Sequence, residues 1–313
     1  MITGNPTAGK VALITGGAGF IGSHLAQQLL RRGMRVRVLD NFRTGSRANL
    51  EGLAVELIEA SILDRQAVAN AVAGATWVFH LAAMISVPES VRQPHACVEL
   101  NVTGLLNVLE AAAAAGVKKL CLASSAAVYG DNPVVPKVET MLPEPRSPYA
   151  VTKLDGEYYC RQFAEAGRLS TAALRFFNVF GPRQDPAGPY GAAIPLFFRE
   201  ALAQRPLTIF GDGGQTRDFI YVEDIVDALI FVASREDATG VFNAGYGAQI
   251  TILELAQEIL QLTGSHSPIQ FAPVRDGDVR HSRASISRLR EAGWAPTGTL
   301  AAGLRKTLAT LRG

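Results

Sequence analysis

The sequence predicts an α/β protein built on a doubly wound parallel sheet, with a smaller α/β lobe toward its C-terminal end. Short apolar runs with the length of buried strands alternate with amphipathic helical segments through the first half of the chain. After about residue 176 the pattern changes, because loops rich in glycine and proline separate shorter helical stretches. At 313 residues the chain has the length of about two domains, which agrees with this change.

The first half supplies the elements of the sheet in order. Helical segments are predicted at 20–32, 64–73 and 97–115. Since parallel strands need a crossover connection, usually a helix, this alternation favours right-handed βαβ units. The predicted strands are Val11–Thr15, Arg35–Leu39, Val55–Ile58, Trp77–His80 and Lys119–Ala123.

The second half contains helical stretches at 192–204, 251–262 and 300–311. Between the first two, Val222–Ala233 and Val241–Asn243 are apolar enough to return to the parallel sheet. We therefore expect one domain from 1–175 plus about 222–243. The other domain is expected from about 176–221 plus 244–313.

Composition argues against several classes of protein. Thirty Lys+Arg and 28 Asp+Glu leave a net charge of +2, without the concentrated basic face of a nucleic-acid binder. The sequence has no run of 18 uncharged apolar residues and no secretory signal pattern, so neither a membrane span nor export is expected. The separated Cys97, Cys121 and Cys160 are predicted to be reduced thiols of a cytoplasmic protein. The histidines lack zinc-ligand spacing, so no metal is expected.

A glycine-rich turn follows the first predicted strand, with glycine at positions 16, 17, 19 and 22. Residues without Cβ let the backbone approach a pyrophosphate at the N-terminus of the next helix. Asp40 closes the second strand, 18 residues beyond Gly22, where a carboxylate binds the adenosine ribose and repels a 2′-phosphate. The pattern predicts a Rossmann-like domain that prefers NAD to NADP, although Arg43 offers a cation for that phosphate. The alternative is a glycine turn that serves packing alone.

A second motif, Ser147-Pro148-Tyr149-Ala150-Val151-Thr152-Lys153, has the N-cap and first-turn proline of a helix start. Tyr149 and Lys153 then lie one turn apart on the same face. A phenol titrates at about 10, and a neighbouring ammonium and a cationic nicotinamide both favour its phenolate form. Ser125 lies at the end of the predicted strand that begins at Lys119, just beyond Ala123, where α/β sites gather, and it completes a Ser–Tyr–Lys set. Taken alone, a Tyr/Lys pair at this spacing is more often structural.

In this order the motifs resemble those of extended short-chain dehydrogenases/reductases, and more closely the nucleotide-sugar 4-epimerases of the UDP-GlcNAc and UDP-glucose 4-epimerase family. The resemblance covers essentially the whole chain. It is carried by His80-Leu81-Ala82-Ala83, Asn101-Val102-Thr103-Gly104, Arg175 through Gln184, Phe210-Gly211-Asp212-Gly213 and Thr216 through Phe219.

The resemblance implies that the first domain binds NAD and the second binds a UDP-sugar. Tyr149 would take the proton of the sugar 4-hydroxyl, assisted by Ser125, while C4 gives hydride to NAD. The 4-keto sugar would then turn over in the pocket and receive the hydride on its other face. Lys153 would hold the nicotinamide ribose and tune Tyr149, and NAD would remain bound throughout.

The resemblance also implies two sets of binding residues. Asn178 would contact the diphosphate-sugar region, Arg217 and Arg275 the diphosphate, and Asp278 the uridine ribose. For Ile194, Thr208 and Phe210, assigned to the uracil, core packing is an equal alternative. The implied cofactor residues are Gly16, Gly19, Phe20, Ile21, Gly22, Asp40, Asn41, Ser61, Ile62, Leu81, Ala82, Ala83, Asn101, Ser124, Tyr149, Lys153 and Phe176. The implied substrate residues are Ser86, Ser125, Ala126, Tyr149, Asn178, Ile194, Thr208, Phe210, Arg217, Arg275, Asp278 and Ser282.

Single positions in the sequence narrow the choice of reaction type and of substrate sugar. Related dehydratases and decarboxylases carry an acid just after the catalytic Ser/Thr, where this chain has Ala126 and Ala127, so epimerisation is expected. Ser282 stands where epimerases restricted to plain hexoses have a bulky tyrosine, which leaves space for a 2-acetamido group. We therefore expect UDP-GlcNAc and UDP-GalNAc as substrates, with UDP-Glc and UDP-Gal also accepted. The alternatives are an epimerase of plain hexoses, a UDP-glucuronate 4-epimerase and a nucleotide-binding sensor without catalysis.

Two positions depart from the family pattern. Ser61 replaces the acidic residue that contacts adenine, which makes the adenine contacts less certain, and Phe176 replaces a frequent tyrosine. A homodimer formed through a helix pair resembles the family habit and is the expected assembly.

Overall fold

The computed structural model describes residues 8–185, 192–274 and 279–312. The chain divides into two compact units, each assembled from three segments. The first unit comprises the described parts of Met1–Val128, Ser147–Arg175 and Val226–Phe242. The second comprises the described parts of Tyr129–Arg146, Phe176–Ile225 and Asn243–Gly313.

Strands and helices alternate through the first unit, and shorter elements make up the second. The strands are β1 (Val11–Thr15), β2 (Arg35–Asp40), β3 (Val55–Glu59), β4 (Trp77–His80), β5 (Lys119–Ser125), β6 (Thr171–Phe176), β7 (Asn178–Phe180), β8 (Leu207–Phe210), β9 (Thr216–Arg217), β10 (Phe219–Tyr221), β11 (Gly240–Ala244), β12 (Ile250–Thr251) and β13 (Ile269–Ala272).

The helices are α1 (Phe20–Arg31), α2 (Arg65–Val72), α3 (Val87–Arg92), α4 (Pro94–Val98), α5 (Gly104–Ala114), α6 (Pro148–Glu165), α7 (Ala193–Leu202), α8 (Val222–Ser234), α9 (Ile252–Thr263), α10 (Ser287–Glu291) and α11 (Leu300–Arg312). A π-helical turn, Glu99–Thr103, joins α4 to α5, and 3₁₀ turns lie at Arg47–Leu50 and Ala126–Tyr129.

Seven strands form one parallel sheet in the order β11-β6-β5-β4-β1-β2-β3. The chain runs outward from β1 to β3 and then restarts at β4 on the other side of β1, so the sheet is doubly wound, as predicted. Ala12, Ile14 and Val78 are fully buried, as a parallel sheet covered by helices on both faces requires. The point where strand order reverses, at the carboxyl ends of β1 and β4, is where such sheets bind ligands.

The returning segment is fastened to the sheet at its far end. Lys119, the first residue of β5, is buried, and its ammonium donates to the carbonyls of Val232 (3.3 Å) and Ala238 (3.0 Å), and also to that of Arg235. Burial lowers the pKa of Lys119. A cation at a helix C-terminus is favoured by the exposed carbonyls there, so this lysine holds the end of α8 beside β5.

The continuous helical run Pro94–Ala114 is, in the described part of the chain, long and apolar enough to cross a membrane by length and composition. A single run of this kind is weak evidence for a span, because core helices have the same properties. Here Leu105, Val108 and Leu109 are buried in the main hydrophobic cluster of the first unit, against α2 and the sheet.

The second unit is built from three two-stranded pairings. β7 pairs with β10 and β8 with β13 in parallel, whereas β9 pairs with β12 antiparallel. Asp218, between β9 and β10, is fully buried and accepts backbone hydrogen bonds from Tyr246 (2.8 Å), Gly247 (3.0 Å) and Ala284 (2.9 Å). One carboxylate thus ties two loops of this unit to β9 and β10.

The division of the chain differs from the sequence-based one at residues 129–146. The sequence-based boundaries assign them to the first domain, whereas they cluster with the second unit. The reason is a backbone pairing: the Lys137 amide donates to Arg283 (2.8 Å) and the Ser285 amide to Lys137 (2.8 Å). In addition, the returning segment of the first unit begins at Val226, inside α8, whereas the sequence predicts its start at about 222.

Candidate active site

Glycines shape the turn between β1 and α1. Gly16 has a φ of +72°, and a Cβ there would lie 2.7 Å from the Ala82 amide nitrogen. A Cβ at Gly22 would lie 2.3 Å from the Gly16 carbonyl oxygen. Within the described residues, the N-cap Gly19 and its neighbours give the first amides of α1 no side-chain cap. The turn therefore offers the close backbone approach and the open helix N-terminus that a pyrophosphate needs.

Asp40 ends β2 beside this turn. Its buried carboxylate accepts hydrogen bonds from the Ala18 amide (2.9 Å) and the Phe42 amide (2.8 Å). Arg43, considered above as a partner for a 2′-phosphate, is instead paired with Glu89 (2.6 Å). The acid is fixed next to the phosphate turn and the nearby cation is already engaged, so the site fits NAD.

The remaining residues predicted to contact the cofactor share one edge of the sheet. This is the edge where the carboxyl ends of parallel strands meet and ligands bind. Phe20 and Ile21 open α1, Asn41 follows β2, Ser61 and Ile62 follow β3, Leu81, Ala82 and Ala83 follow β4, Ser124 lies in β5, and Phe176 ends β6.

Ser125, Tyr149 and Lys153 come together at the start of α6. The helix is capped by Ser147, whose hydroxyl accepts from the Ala150 amide (3.2 Å). The Ser125 hydroxyl accepts from the Ala127 amide (3.1 Å) and lies near enough to Tyr149 to lower the pKa of that phenol. The Lys153 ammonium donates to the Ala123 carbonyl (2.8 Å) and lies 5.8 Å from the centre of the Tyr149 ring. The structure thus brings the three predicted catalytic residues into one cluster.

Electrostatics in this cluster differ from the sequence-based expectation. Burial raises the pKa of Tyr149, although the nearby Ser125 hydroxyl acts in the opposite direction. Burial also lowers the pKa of Lys153 to about 8. The sequence predicts that Lys153 lowers the pKa of Tyr149. In the protein without cofactor, the loss of solvent is instead the largest cause of the pKa shifts of both groups.

Asn101 lies in the π-helical turn and its amide is used within the protein. Its Oδ1 accepts from the Met84 amide (2.7 Å), and its Nδ2 donates to the Met84 carbonyl (3.0 Å) and the Thr152 hydroxyl (3.0 Å). Thr152 in turn donates to the Tyr149 carbonyl (2.8 Å). This side chain connects the loop after β4 to the first turn of α6, and its predicted contact with the cofactor stays a prediction.

Sequence reasoning missed three buried polar groups next to this cluster. The Glu157 carboxylate accepts from the Ser124 hydroxyl and makes a two-pronged ion pair with Arg175. The Ser90 hydroxyl accepts from the Tyr149 amide (3.2 Å). Glu157 follows Lys153 by one helical turn, so helical spacing alone could have identified it.

His80, the last residue of β4, is also buried near Lys153. Its Nδ1 lies 2.9 Å from the Thr15 hydroxyl oxygen. Burial and, to a lesser degree, the charge of Lys153 lower the pKa of His80 to about 3, so the imidazole is neutral at physiological pH. His80 therefore contributes an uncharged polar side chain beside Lys153.

Predicted substrate residues outside this cluster lie on short elements. Ser86 caps α3, accepting from the Glu89 amide (3.3 Å), and Ala126 opens a 3₁₀ turn. The remainder belong to the second unit. They are Asn178 in β7, whose amide donates to the Asp218 carbonyl (3.1 Å), Ile194 in α7, Thr208 and Phe210 in β8, Arg217 in β9, and Ser282, whose amide donates to Thr216 (3.1 Å).

The three residues predicted to surround the uracil differ in their exposure. Ile194 is 1% exposed, which corresponds to the packing alternative, whereas Thr208 is exposed and Phe210 half-buried. Arg275 and Asp278 lie outside the described residues. Beside Phe210, an open cavity of about 560 Å³ is lined by Gly211, Asp212, Phe271, Ala272, Pro273 and Val274.

Across residues 8–185, 192–274 and 279–312, His, Cys, Asp and Glu side chains form no group of three or more that could hold a metal ion. The polar groups that converge here are those of a dinucleotide site and a hydroxyl–phenol–ammonium cluster.

Comparisons with known proteins agree with this arrangement. A model of the NAD dependent epimerase/dehydratase family matches residues 12–245. The UDP-glucose 4-epimerase of Mycolicibacterium smegmatis is 39% identical over 307 residues, covering 96% of this chain and 98% of that protein. The UDP-N-acetyl-alpha-D-glucosaminuronate decarboxylase of Bacillus cytotoxicus is 36% identical over 317 residues, covering 97% and 98%.

A solved structure extends the likeness to three dimensions. The UDP-N-acetylglucosamine 4-epimerase of Methanobrevibacter ruminantium, in complex with UDP-N-acetylmuramic acid, aligns with a TM-score of 0.94 at 37% identity. The alignment covers 97% of this chain and 99% of that one. The family resemblance and the cofactor that the sequence predicts are confirmed. The chain belongs to the NAD dependent epimerase/dehydratase family, as a UDP-sugar enzyme that uses NAD.

Proposed function

We propose that the protein is a 4-epimerase that interconverts UDP-GlcNAc and UDP-GalNAc and also accepts UDP-Glc and UDP-Gal. The observation that carries the reaction type is the Ser125–Tyr149–Lys153 cluster followed directly by Ala126 and Ala127. Elimination needs a proton donor beside the catalytic serine, and two alanines supply none. The cluster therefore supports proton transfer at one hydroxyl and little else.

The proton path follows from the cluster. A sugar 4-hydroxyl placed between the Ser125 and Tyr149 hydroxyls gives its proton to the Tyr149 phenolate and takes it back when C4 is restored. NAD, when bound, supplies the two-electron acceptor and donor at C4. The Ser125 hydroxyl favours the phenolate because it lowers the pKa of Tyr149. We assign the same role to the Lys153 ammonium, which lies 5.8 Å from the centre of the Tyr149 ring.

A 4-epimerase must present both faces of C4 to one tyrosine, so the nucleotide needs firm anchoring while the sugar turns. We assign that anchoring to Asn178 and Arg217, as the family resemblance implies. An arginine fork suits a diphosphate because it donates to two oxygens at once. Arg275 and Asp278 complete the proposed set by sequence position.

The acetamido preference rests on Ser282. Its backbone is fixed beside β9 by the bond from its amide to the Thr216 carbonyl (3.1 Å), so its small side chain occupies a defined place. A serine there leaves volume that a tyrosine would fill. The Methanobrevibacter ruminantium relative, a UDP-N-acetylglucosamine 4-epimerase, supports the same choice.

Three other UDP-sugar activities have specific support. The Mycolicibacterium smegmatis relative is a UDP-glucose 4-epimerase, which favours plain hexoses. Arg183 offers a cation for a uronate, while Asn178 stands where glucuronate-specific relatives tend to have threonine. The decarboxylase relative adds loss of CO₂ from a uronate as an outcome to be measured.

The test is product analysis by anion-exchange chromatography or NMR with UDP-GlcNAc, UDP-Glc and UDP-glucuronate supplied separately. No NAD is added, so that bound cofactor must suffice, and Tyr149→Phe is the matched control. Faster formation of UDP-GalNAc than of UDP-Gal supports the proposal. Conversion of UDP-Glc alone keeps the mechanism and overturns the sugar. A uronate epimer or a pentose product replaces the proposal by one of the alternatives, and no turnover of any sugar favours a sensor.

A further inference from the structure

A buried ion pair joins three elements behind the candidate catalytic cluster. Arg175 in β6 and Glu157 in α6 have side chains that are 4% and 3% exposed. Arg175 Nε lies 2.9 Å from Glu157 Oε1, and its Nη2 lies 2.7 Å from Oε2. The Ser124 hydroxyl in β5 donates to the same Oε1. The carboxylate therefore receives three hydrogen bonds from two different strands.

The placement of this network is not explained by packing alone. Tyr149, Lys153 and Glu157 are spaced four residues apart along α6, so they follow one stripe of the helix. Lys153 binds the Ala123 carbonyl and Glu157 binds the Ser124 side chain, so two consecutive residues of β5 are tied to that stripe. The next residue is Ser125, whose hydroxyl acts on the Tyr149 phenol and favours its ionised form.

We propose that Glu157 is a positioning residue for the reaction: held by Arg175, it fixes Ser124 and thereby sets the Ser125 hydroxyl against Tyr149. This inference rests on the proposed role of Tyr149 as the proton acceptor. A buried ion pair is weak evidence for stability, because the desolvation of both charges offsets their attraction. The pair acts here by fixing geometry, since a bidentate Arg–carboxylate pair holds the acceptor oxygen in one orientation.

Other groups around Tyr149 do not replace this contact. Lys153 lies on the same helix, and Cys97 on α4, which contacts Asn101 and Thr152, acts to raise the pKa of the phenol. On α3, Glu89 is paired with Arg43, and at the end of β4, His80 is neutral beside Lys153. In the protein without cofactor, burial and Cys97 raise the pKa of Tyr149 and the Ser125 hydroxyl lowers it. Loosening Ser125 should therefore raise that pKa.

The experiment measures the titration of Tyr149 directly. The full-length protein with NAD is labelled with ¹³Cζ-tyrosine, and the signal of Tyr149 among its seven tyrosines is identified by its loss in Tyr149→Phe. Ser124→Ala removes one hydroxyl and leaves the ion pair intact. We expect the pKa of Tyr149 to rise by about one, with a roughly tenfold loss of kcat at neutral pH that higher pH restores, and an unchanged KM. Ser124→Thr, which keeps a hydroxyl, should restore both.

Thr171→Val is the matched control, because the buried Thr171 hydroxyl donates to Cys160 (2.8 Å) and joins the same two elements, β6 and α6, away from Ser125. It should lower the thermal midpoint without moving the titration. Glu157→Gln, if it folds, should act like Ser124→Ala. An unmoved Tyr149 titration in Ser124→Ala, with a stability loss like that of Thr171→Val, would overturn the proposal. Since the titration needs no turnover, it decides this inference even if the wild-type protein epimerises no sugar.

Discussion

The two units of the molecule carry their candidate functional residues in different ways. In the first, Lys153, Asn101 and Glu157 are buried and hydrogen-bonded, on long helices and strands of a sheet covered on both faces. In the second, Thr208, Arg217 and Ser282 are exposed or half-buried, on or beside strands of two to four residues.

The difference indicates where change is tolerated. A buried polar network loses its geometry when one member is removed, because each remaining group is left without a partner. A half-exposed side chain on a short strand can change size with little effect on its neighbours.

The largest expected effect tests the chemical half of this comparison. Tyr149→Phe should lower kcat by about 10³-fold or more, because it removes the group that accepts the proton. Binding of NAD and of UDP-sugar, measured by calorimetry, should change little. Tyr158→Phe, at a 42% exposed tyrosine on the same helix, is the control and should be fully active. Activity of Tyr149→Phe above a few per cent would contradict the mechanism.

A large effect is also expected at the phosphate turn. Gly16→Ala should weaken NAD binding by about 100-fold, since its φ of +72° disfavours a side chain and the new Cβ would meet the Ala82 backbone at 2.7 Å. Gly74→Ala matches the φ of +72° but has nothing within 4 Å of its Cβ, so it isolates the cost of the backbone conformation. Equal NAD affinity in the two variants, measured by fluorescence titration, would show that the close approach is unimportant.

A smaller and selective effect tests recognition in the second unit. Ser282→Tyr should reduce the ratio of kcat/KM for UDP-GlcNAc over UDP-Glc by at least about tenfold, because a large ring fills the space of the acetamido group. The thermal midpoint should stay near that of the wild type, since Ser282 is half-buried. Equal losses on both sugars would show that this position does not select by size.

The smallest effect concerns stability in the second unit. Burial raises the pKa of Asp218 to about 6, so its ionisation costs stability above that pH and protonation removes the cost. Relative to Asp218→Asn, the wild type should therefore gain about 1 kcal/mol on acidification from about pH 7.5 to about pH 5. Denaturant titrations of both proteins at the two pH values measure this difference. A gain in the opposite direction would show that the three backbone hydrogen bonds outweigh burial.

Much of the first unit could be predicted from local pattern. The strands β1 to β5 are apolar runs bounded by turns, and Gly16, Asp40, Tyr149 and Lys153 stand at spacings that have a direct physical meaning. The parallel, doubly wound character of the sheet was predicted from the alternation of strands and helices. What these features share is that the signal lies within about 20 residues of chain.

The remainder depends on contacts that local pattern does not encode. Arg175 pairs with Glu157 because β6 lies beside β5 in the sheet. The sequence around Arg175 contains no pattern that predicts an acidic partner. β9 and β12 have two residues each, too short for any periodicity. The raised pKa of Tyr149 reflects burial, which a sequence does not give. The π-helical turn around Asn101 likewise has no sequence signature.

The return of residues 226–242 to the first unit has a consequence for how the protein is made. Until β11 emerges from the ribosome, β6 is an open edge of the sheet, and the Lys119 ammonium lacks the helix end that it caps. The first unit is therefore complete only when residue 242 of 313 has been synthesised. An exposed strand edge is a template for wrong pairing, so a nascent chain stalled near residue 175 should need chaperone protection. An isolated fragment of that length would lack the strand that covers β6.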